Sequence, residues 1–402
     1  MLESKLEMSG SKEEILDSKI KMSGLGSKEE MSDLGSKEDM FESKIKMPKI
    51  SDLLDGNDEL TFTLSDMDVC FANAIRRTIL SDIDVCCILS ENHETNNVEI
   101  EMNSSRLHNE ILKHRLSCIP VHVESDIEKF CETYILEMDC ENKSDSIMYV
   151  TSEDFHIKNI VSGEYIESKK IFPPDSISRD YIDFARLRPK ISDSIPGEKL
   201  KLSARFSISN AGFNSMYNVV SKCSYNNSFD SNLALSKWKD IESSLGDISN
   251  DLRSFHKKNF YLLDAKRCFF HNSFDFFIQG LHVFDNRQIF LKSLHKLIHK
   301  LQNLTFHIIS SESTMTNSFD IILHNEDYTI GKILEFIFYT HLFQNDNNIL
   351  NFCAFKKFHP HDTQSTIRIA FTQHSTLLQT EDILHHSIRI ALNIFKHLIH
   401  IF

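Results

Sequence analysis

The sequence has no run of lysine and arginine, and its balance is acidic: 44 basic side chains against 58 acidic ones, a formal charge of −14. A chain built mainly to grip phosphates carries a basic field, so direct nucleic-acid binding is disfavoured as the principal role. Its nine cysteines are odd in number and no two stand at C-x-x-C spacing. That argues against a disulfide framework and a Cys₄ zinc site, and it fits a reducing compartment. The first residues are charged, so no secretory signal is expected. The longest apolar runs, ILEFIFYTHLF and IRIALNIFKHLIHIF, are too short or too interrupted to span a bilayer. A soluble intracellular chain without a membrane partner is expected. Also missing are GxGxxG, a P-loop, HExxH, a nucleophile elbow and an aspartate triplet for catalytic magnesium. The chain is therefore expected to have no active site and to bind no cofactor or metal.

What is present is 402 residues with 41% apolar content, enough for two or three domains with real cores. Residues 1–53 read as a disordered repetitive tail. SKLEMSGSKEE, SKIKMSGLGSKEE and MSDLGSKEDM are imperfect copies of one phrase, too polar to offset the entropy of ordering; a transient helix is the competing view. Order is expected from near Leu54. ELTFTL alternates and reads as a strand, with Leu60, Phe62 and Leu64 on one face. From 89 to 215 the pattern is strand-rich. Residues 226–258 read as loop with one short helix. FDFFIQG reads as a strand, and RQIFLKSLHKLIHKLQNL as an amphipathic helix presenting Phe290, Leu294, Leu297, Ile298 and Leu301. The last hundred residues repeat this grammar: strand FDIILH, a helix from Asp327, strand STIRIAF, and a long helix over about 381–399.

Between them, NAIRRTILSD lies in a helix whose apolar stripe is Val69, Ala72, Ile75, Ile79 and Ile83. Arg76 falls inside that arc and Arg77 at its edge. No carboxylate stands three or four residues from either, so no intrahelical ion pair satisfies them. Setting Asp68 on Asp327 puts Leu60 on Phe319, Phe62 on Ile321, Leu64 on Leu323, Ala72 on Gly331 and Ile75 on Leu334. The match predicts an internal duplication. Each α+β unit would cover one sheet face with its helices and pack those helices on its twin. The dimerising residues expected are Ala72, Ile75, Ile79, Leu294, Leu297, Ile298, Gly331, Leu334, Ile337, Leu384, Ile388, Ala391 and Phe395. Glycine inside a helix costs about 1 kcal/mol against alanine, so Gly331 predicts close approach of another backbone.

These residues resemble a known family. DMDVCFANAIRRTILSDIDV, followed by NSSRLHNEILKHRLSCIPVHV, resembles the alpha-like subunits of cellular RNA polymerases: bacterial alpha, archaeal D and the third-largest subunit of RNA polymerase II. The pattern rests on Asn73, Arg76 and Arg77, then Glu110, His114, Arg115, Leu116, Ile119 and Pro120. The last hundred residues resemble the smaller partner, the eleventh subunit or archaeal L, in NEDYTIGKILEF and CAFKKFHPHDTQSTIRI. The arrangement is similar to the fused subunit of large cytoplasmic DNA viruses. It departs from the family near Asp84, usually Pro, and at Lys332, commonly Asn.

The resemblance implies an α+β fold with two alpha-like units in one chain, an intramolecular pseudo-dimer carrying an inserted mostly β domain. The units would be 54–88 with 216–302, and 303–402; the insert would be 89–215. It implies a non-catalytic assembly platform of a multisubunit DNA-directed RNA polymerase, with the largest, second-largest and small subunits as partners and nucleic acid met only indirectly. Asn73, Arg76, Arg77, Glu110, His114 and Arg115 would face the large subunit; arginines merely snorkelling to solvent are the plain alternative. Magnesium, with zinc, would sit elsewhere in the complex. Host cytoplasm and virion are the expected locations, the nucleus less so. A stand-alone dimerising protein that regulates transcription is the rival reading. His295 and His299, four apart among lysines, read as surface histidines rather than metal ligands.

Overall fold

The computed structural model describes residues 46–56, 58–91, 96–192, 194–311, 314–344 and 349–402. Most of the repetitive tail lies outside the described residues. The chain opens with β1 (Lys49–Gly56), β2 (Glu59–Ser65) and α1 (Val69–Ser81), then β3 (Val85–Cys87), β4 (Val98–Asn103), α2 (Asn109–Ser117), α3 (Ile127–Thr133) and β5 (Tyr134–Glu141). Next come β6 (Met148–Thr151), β7 (His156–Asn159), β8 (Tyr165–Ile166), β9 (Asp183–Leu187), β10 (Lys199–Arg205), β11 (Ser207–Ser209) and β12 (Val220–Phe229). The rest is α4 (Ser231–Ser244), α5 (Asn250–Leu262), β13 (Phe269–Gly280), α6 (Asn286–Gln302), β14 (Phe306–Ser310), β15 (Ser318–His324), α7 (Tyr328–Phe338), β16 (Leu350–Lys356), β17 (Gln364–Phe371) and α8 (Leu377–Ile401).

Two antiparallel sheets have the same plan. One is four-stranded in the order β1-β2-β13-β12, the other four-stranded in the order β14-β15-β17-β16. In each, a hairpin leads into a helix, and a second hairpin leads into another: α1 and α6 in the first, α7 and α8 in the second. The likeness extends to single residues. Asp66 (φ 59°) and Asn325 (φ 57°) both take the left-handed conformation that short polar side chains tolerate. Two residues on, Asp68 caps α1 by accepting from the Cys70 N–H at 2.8 Å, and Asp327 caps α7 by accepting from the Thr329 N–H at 2.8 Å.

The helices pack into a ring. α1 lies against α6 and α7, and α8 lies against the same two. The stripe foreseen from spacing fills this layer: Ala72, Ile75, Leu294, Leu297, Leu334, Ile337, Leu384, Ala391 and Phe395 are fully buried, Ile79 and Ile388 nearly so, whereas Ile298 is half-exposed. Aromatic contacts tie the two sheets' helices together. Phe71 of α1 meets Phe336 of α7 and Phe395 of α8 edge-on, at 6.1 and 5.6 Å between ring centres. Phe402 sits 4.3 Å from Phe290 and 5.7 Å from Phe62. Gly331 is crowded by the ring of Phe355 on β16 rather than by another backbone: a Cβ there would lie 2.0 Å from Cε2.

Residues between α1 and β12 build a separate core. A five-stranded sheet, β4-β10-β5-β7-β8, and the β6-β9 pair enclose Leu112, Leu116, Phe155, Phe172, Phe184 and Leu200. Its base is the β3-β11 pair, where Val85 is matched with Ser209.

Three expectations are corrected. The tail reading to residue 53 ran too far, because β1 begins at Lys49 and pairs it with Ser65. The supposed loop 226–258 is instead the end of β12 and most of a helical hairpin. Asp230 caps α4 through the N–H groups of Asn232 and Leu233, Ser249 caps α5, and Trp238 packs on Phe260 with ring centres 5.8 Å apart. The long terminal helix starts at Leu377, not 381, because Thr376 and Gln379 cap it reciprocally.

Candidate functional site

α1 carries the arginine pair, and the two point to different tasks. Asn73 Oδ1 accepts from Arg76 Nε at 3.1 Å and from Nη2 at 2.9 Å. Such a fork holds the guanidinium along the helix. Arg76 lies towards β12, where burial pushes the Cys223 thiol up to about 12 and the nearby Arg76 charge opposes that rise.

Arg77 has a partner that local spacing could not reveal. Its Nη2 donates to the Asp327 carboxylate, and its Nε donates to the Thr329 hydroxyl at 2.9 Å. One guanidinium thus engages both the cap of α7 and the first turn that the cap satisfies. Arg77, expected to face the large subunit, thus also has partners within the chain. Setting Asp68 on Asp327 puts Arg77 on Phe336, and Phe336 meets Phe71 near the cap of α1. The α1–α7 side of the ring is thus closed by an ion pair at one end and by an aromatic pair at the other.

Around this clasp lies a cleft of about 270 Å³, lined by Arg77, Asp82, Lys300, Glu326, Asp327 and Lys357 among others. Lys300 reaches from α6 to Asp82 at 2.6 Å, and Lys296 reaches Asp84 at 2.6 Å. Asp84 also accepts from Asn210 at 3.0 Å. Burial pushes Glu326 up to about 7; Lys300 opposes the rise, while Asp327 and Asp82 add to it. Burial works against the Asp327 carboxylate too, but Thr329, Arg77 and Lys300 outweigh it and hold its pKa low. Burial likewise disfavours the Lys300 ammonium, yet Asp82 and Glu326 prevail and raise its pKa.

The second trio sits on α2, in the inserted core. Glu110, His114 and Arg115 are exposed. Arg115 uses its fork inside the chain: Nε donates to the Phe184 carbonyl at 2.8 Å and Nη2 to the Asp183 carbonyl at 2.7 Å. It therefore fastens α2 to β9.

This chain is similar to RNA polymerase subunit 3. It is 35% identical over 100 residues to DNA-directed RNA polymerase II subunit rpb3 of Dictyostelium discoideum, covering 25% of this chain and 30% of that protein. It is 31% identical over 121 residues to DNA-directed RNA polymerase subunit Rpo3 of Pyrococcus horikoshii, covering 28% and 44%. It is 32% identical over 128 residues to DNA-directed RNA polymerases II, IV and V subunit 3 of Arabidopsis thaliana, covering 28% and 36%. The chain thus spans less than half the length of these relatives. No family model matches it.

Among the described residues, no group of three or more His, Cys, Asp or Glu is arranged to hold a metal ion. No described helix is long and apolar enough to cross a membrane. The residues that spacing missed are Asp82, Lys300, Asp327 and Thr329. The repeat marked Asp327 as a helix opener, and Asp327 and Thr329 both stand in the segment NEDYTIGKILEF; Asp82 and Lys300 carried no such signal.

Proposed function

We propose that this chain is a non-catalytic assembly subunit of a multisubunit DNA-directed RNA polymerase. In this reading its two halves form a pseudo-dimer within one polypeptide, equivalent to an alpha-like pair, and the paired helices are the platform for the large catalytic subunits. One observation carries it: similarity to polymerase subunit 3 coincides, in a single chain, with a second β-β-α-β-β-α unit of identical strand order. Arg77 serves the clasp. Asn73 and Arg76 are the docking residues of α1, with Glu110 and His114 as exposed candidates on α2. The catalytic magnesium and any zinc belong to the other subunits. The setting is host cytoplasm and virion, as the fused arrangement implies.

Co-expression with the largest and second-largest subunits tests this. The wild-type chain is expected in a stoichiometric complex. Arg76→Glu with Asn73→Ala should leave a folded chain, checked by near-ultraviolet circular dichroism, that no longer co-purifies. An unchanged complex would reject the docking role, and a chain that never joins the large subunits would reject the reading.

A further inference from the structure

All nine cysteines are free thiols, and two of them touch. Cys86 Sγ and Cys131 Sγ lie 3.8 Å apart, although 45 positions separate them in the sequence. Cys86 is the middle residue of β3, the strand that follows α1 and pairs with β11 at the base of the inserted core. Cys131 is on α3. Ring contacts seat α3 on this base: Phe130, beside Cys131, meets Phe206 at 5.0 Å and Tyr134 at 4.9 Å between ring centres.

The pair is asymmetric. Cys86 is 2% exposed, whereas Cys131 is half-buried. Burial disfavours a thiolate, so the deeper thiol keeps its proton and donates to the shallower sulfur. That hydrogen bond is the main influence on Cys131. It lowers the pKa below the ordinary thiol value, against burial and the Glu132 charge. The same bond, together with burial, pushes Cys86 upward. One sulfur is thus the accessible nucleophile and the other stands behind it, the arrangement of an attacking and a resolving thiol. A disulfide needs about 2 Å between sulfurs, so one side has to give. α3 can: it has seven residues, none of them buried, and Asp126 at its start takes a left-handed φ of 50° and makes no side-chain capping bond.

We propose that Cys86 and Cys131 are a site of reversible oxidation, closed to a disulfide by a peroxide and fixing α3 to β3. The Cys131 thiolate attacks one peroxide oxygen; the S–O bond forms, the O–O bond breaks, and the departing hydroxide takes up the thiol's proton as water. Cys86 then attacks the Cys131 sulfur; the S–S bond forms, the S–O bond breaks, and the Cys86 proton leaves with the oxygen as a second water. Two thiols and one hydrogen peroxide give one disulfide and two waters, the sulfurs oxidised and the peroxide reduced. This site lies outside the clasp and does not depend on the polymerase reading.

The test treats the full, reduced chain with one equivalent of hydrogen peroxide, alkylates the remaining thiols and maps linked peptides by mass spectrometry. Two of the nine thiols should be lost, with Cys86 joined to Cys131, and dithiothreitol should restore them. Cys86→Ala should leave a sulfenic acid on Cys131 that dimedone labels. Cys131→Ser, at the half-buried position, should lose no thiol. Hydrogen exchange over residues 127–133 should slow in the oxidised wild-type chain and not in peroxide-treated Cys131→Ser. The proposal is overturned if no Cys86–Cys131 peptide forms, if Cys131 joins Cys87 or Cys118 instead, if the urea-unfolded chain forms the bond as fast, or if exchange over α3 is unchanged.

Discussion

Arg77, near the end of the first helix of one half, bonds the carboxylate of Asp327, the cap of the corresponding helix in the other half. Both side chains are about one-third exposed (37% and 35%), so the pair belongs to the surface class in energy, and Arg77→Ala should cost about 1 kcal/mol. Asp327 has two duties that substitutions separate. Asp327→Asn keeps the cap and loses the ion pair; Asp327→Ala loses both and should cost about 1 kcal/mol more. Urea unfolding of the single and double variants gives the coupling, and a coupling of zero between Arg77→Ala and Asp327→Asn would show that the contact contributes nothing to stability.

Acid and base act on this corner in opposite senses. The folded pKa of Asp327 lies below its usual 3.8, so its stabilising share is present above that value and fades as pH falls through the folded pKa. Glu326 is raised from 4.5 to about 7, so its favourable share is complete below pH 4.5 and lost as pH rises through about 7. Glu326→Gln should flatten the decline between those values and make the protein more stable at pH 8, by roughly 1 kcal/mol or more. Thermal melts of both proteins across pH 4–9 decide it. Parallel curves would remove Glu326 as the cause.

Gly331 makes a directional test. Alanine there gains about 1 kcal/mol in helix propensity. It also drives a methyl into Phe355, a collision that overpacking studies put at about 1–3 kcal/mol. Net destabilisation is expected in urea unfolding. Shrinking the ring with Phe355→Leu should return most of the loss, and the absence of rescue would mean that the crowding is elsewhere.

Arg115→Lys should loosen the inserted core although charge is kept. Lysine cannot span two consecutive carbonyls as the fork does. About 1 kcal/mol is expected from the bonds to Asp183 and Phe184. Hydrogen exchange should quicken along β9 and the strand β6 that pairs with it. Unaltered exchange would leave Arg115 available for an outside partner.

What could be read without coordinates follows physical range. α1 and α7 announced themselves through a capping aspartate and a wide apolar stripe, both local. The burial of Ala72, Leu294 and Phe395 followed from the same periodicity. The hairpin of α4 and α5 went unread because its core is only a few residues deep and its outer face mixes apolar and charged side chains, which blurs the period. The Thr376–Gln379 cap was present in the sequence but masked by the polar letters around it. The partner of Arg77 could not be read at all: it lies 250 positions away, and only the pairing of the two sheets' helices brings it near.

The ring made by α1, α6, α7 and α8 also governs how the molecule responds to dilution. Two separate polypeptides joined through such a layer would part as concentration fell. Here the matching surfaces are tethered, so the encounter is first-order and its yield independent of the amount of protein made. The faces of α1 and α6 that pack on α7 and α8 find that cover only after the C-terminal residues have been synthesised, which delays closure.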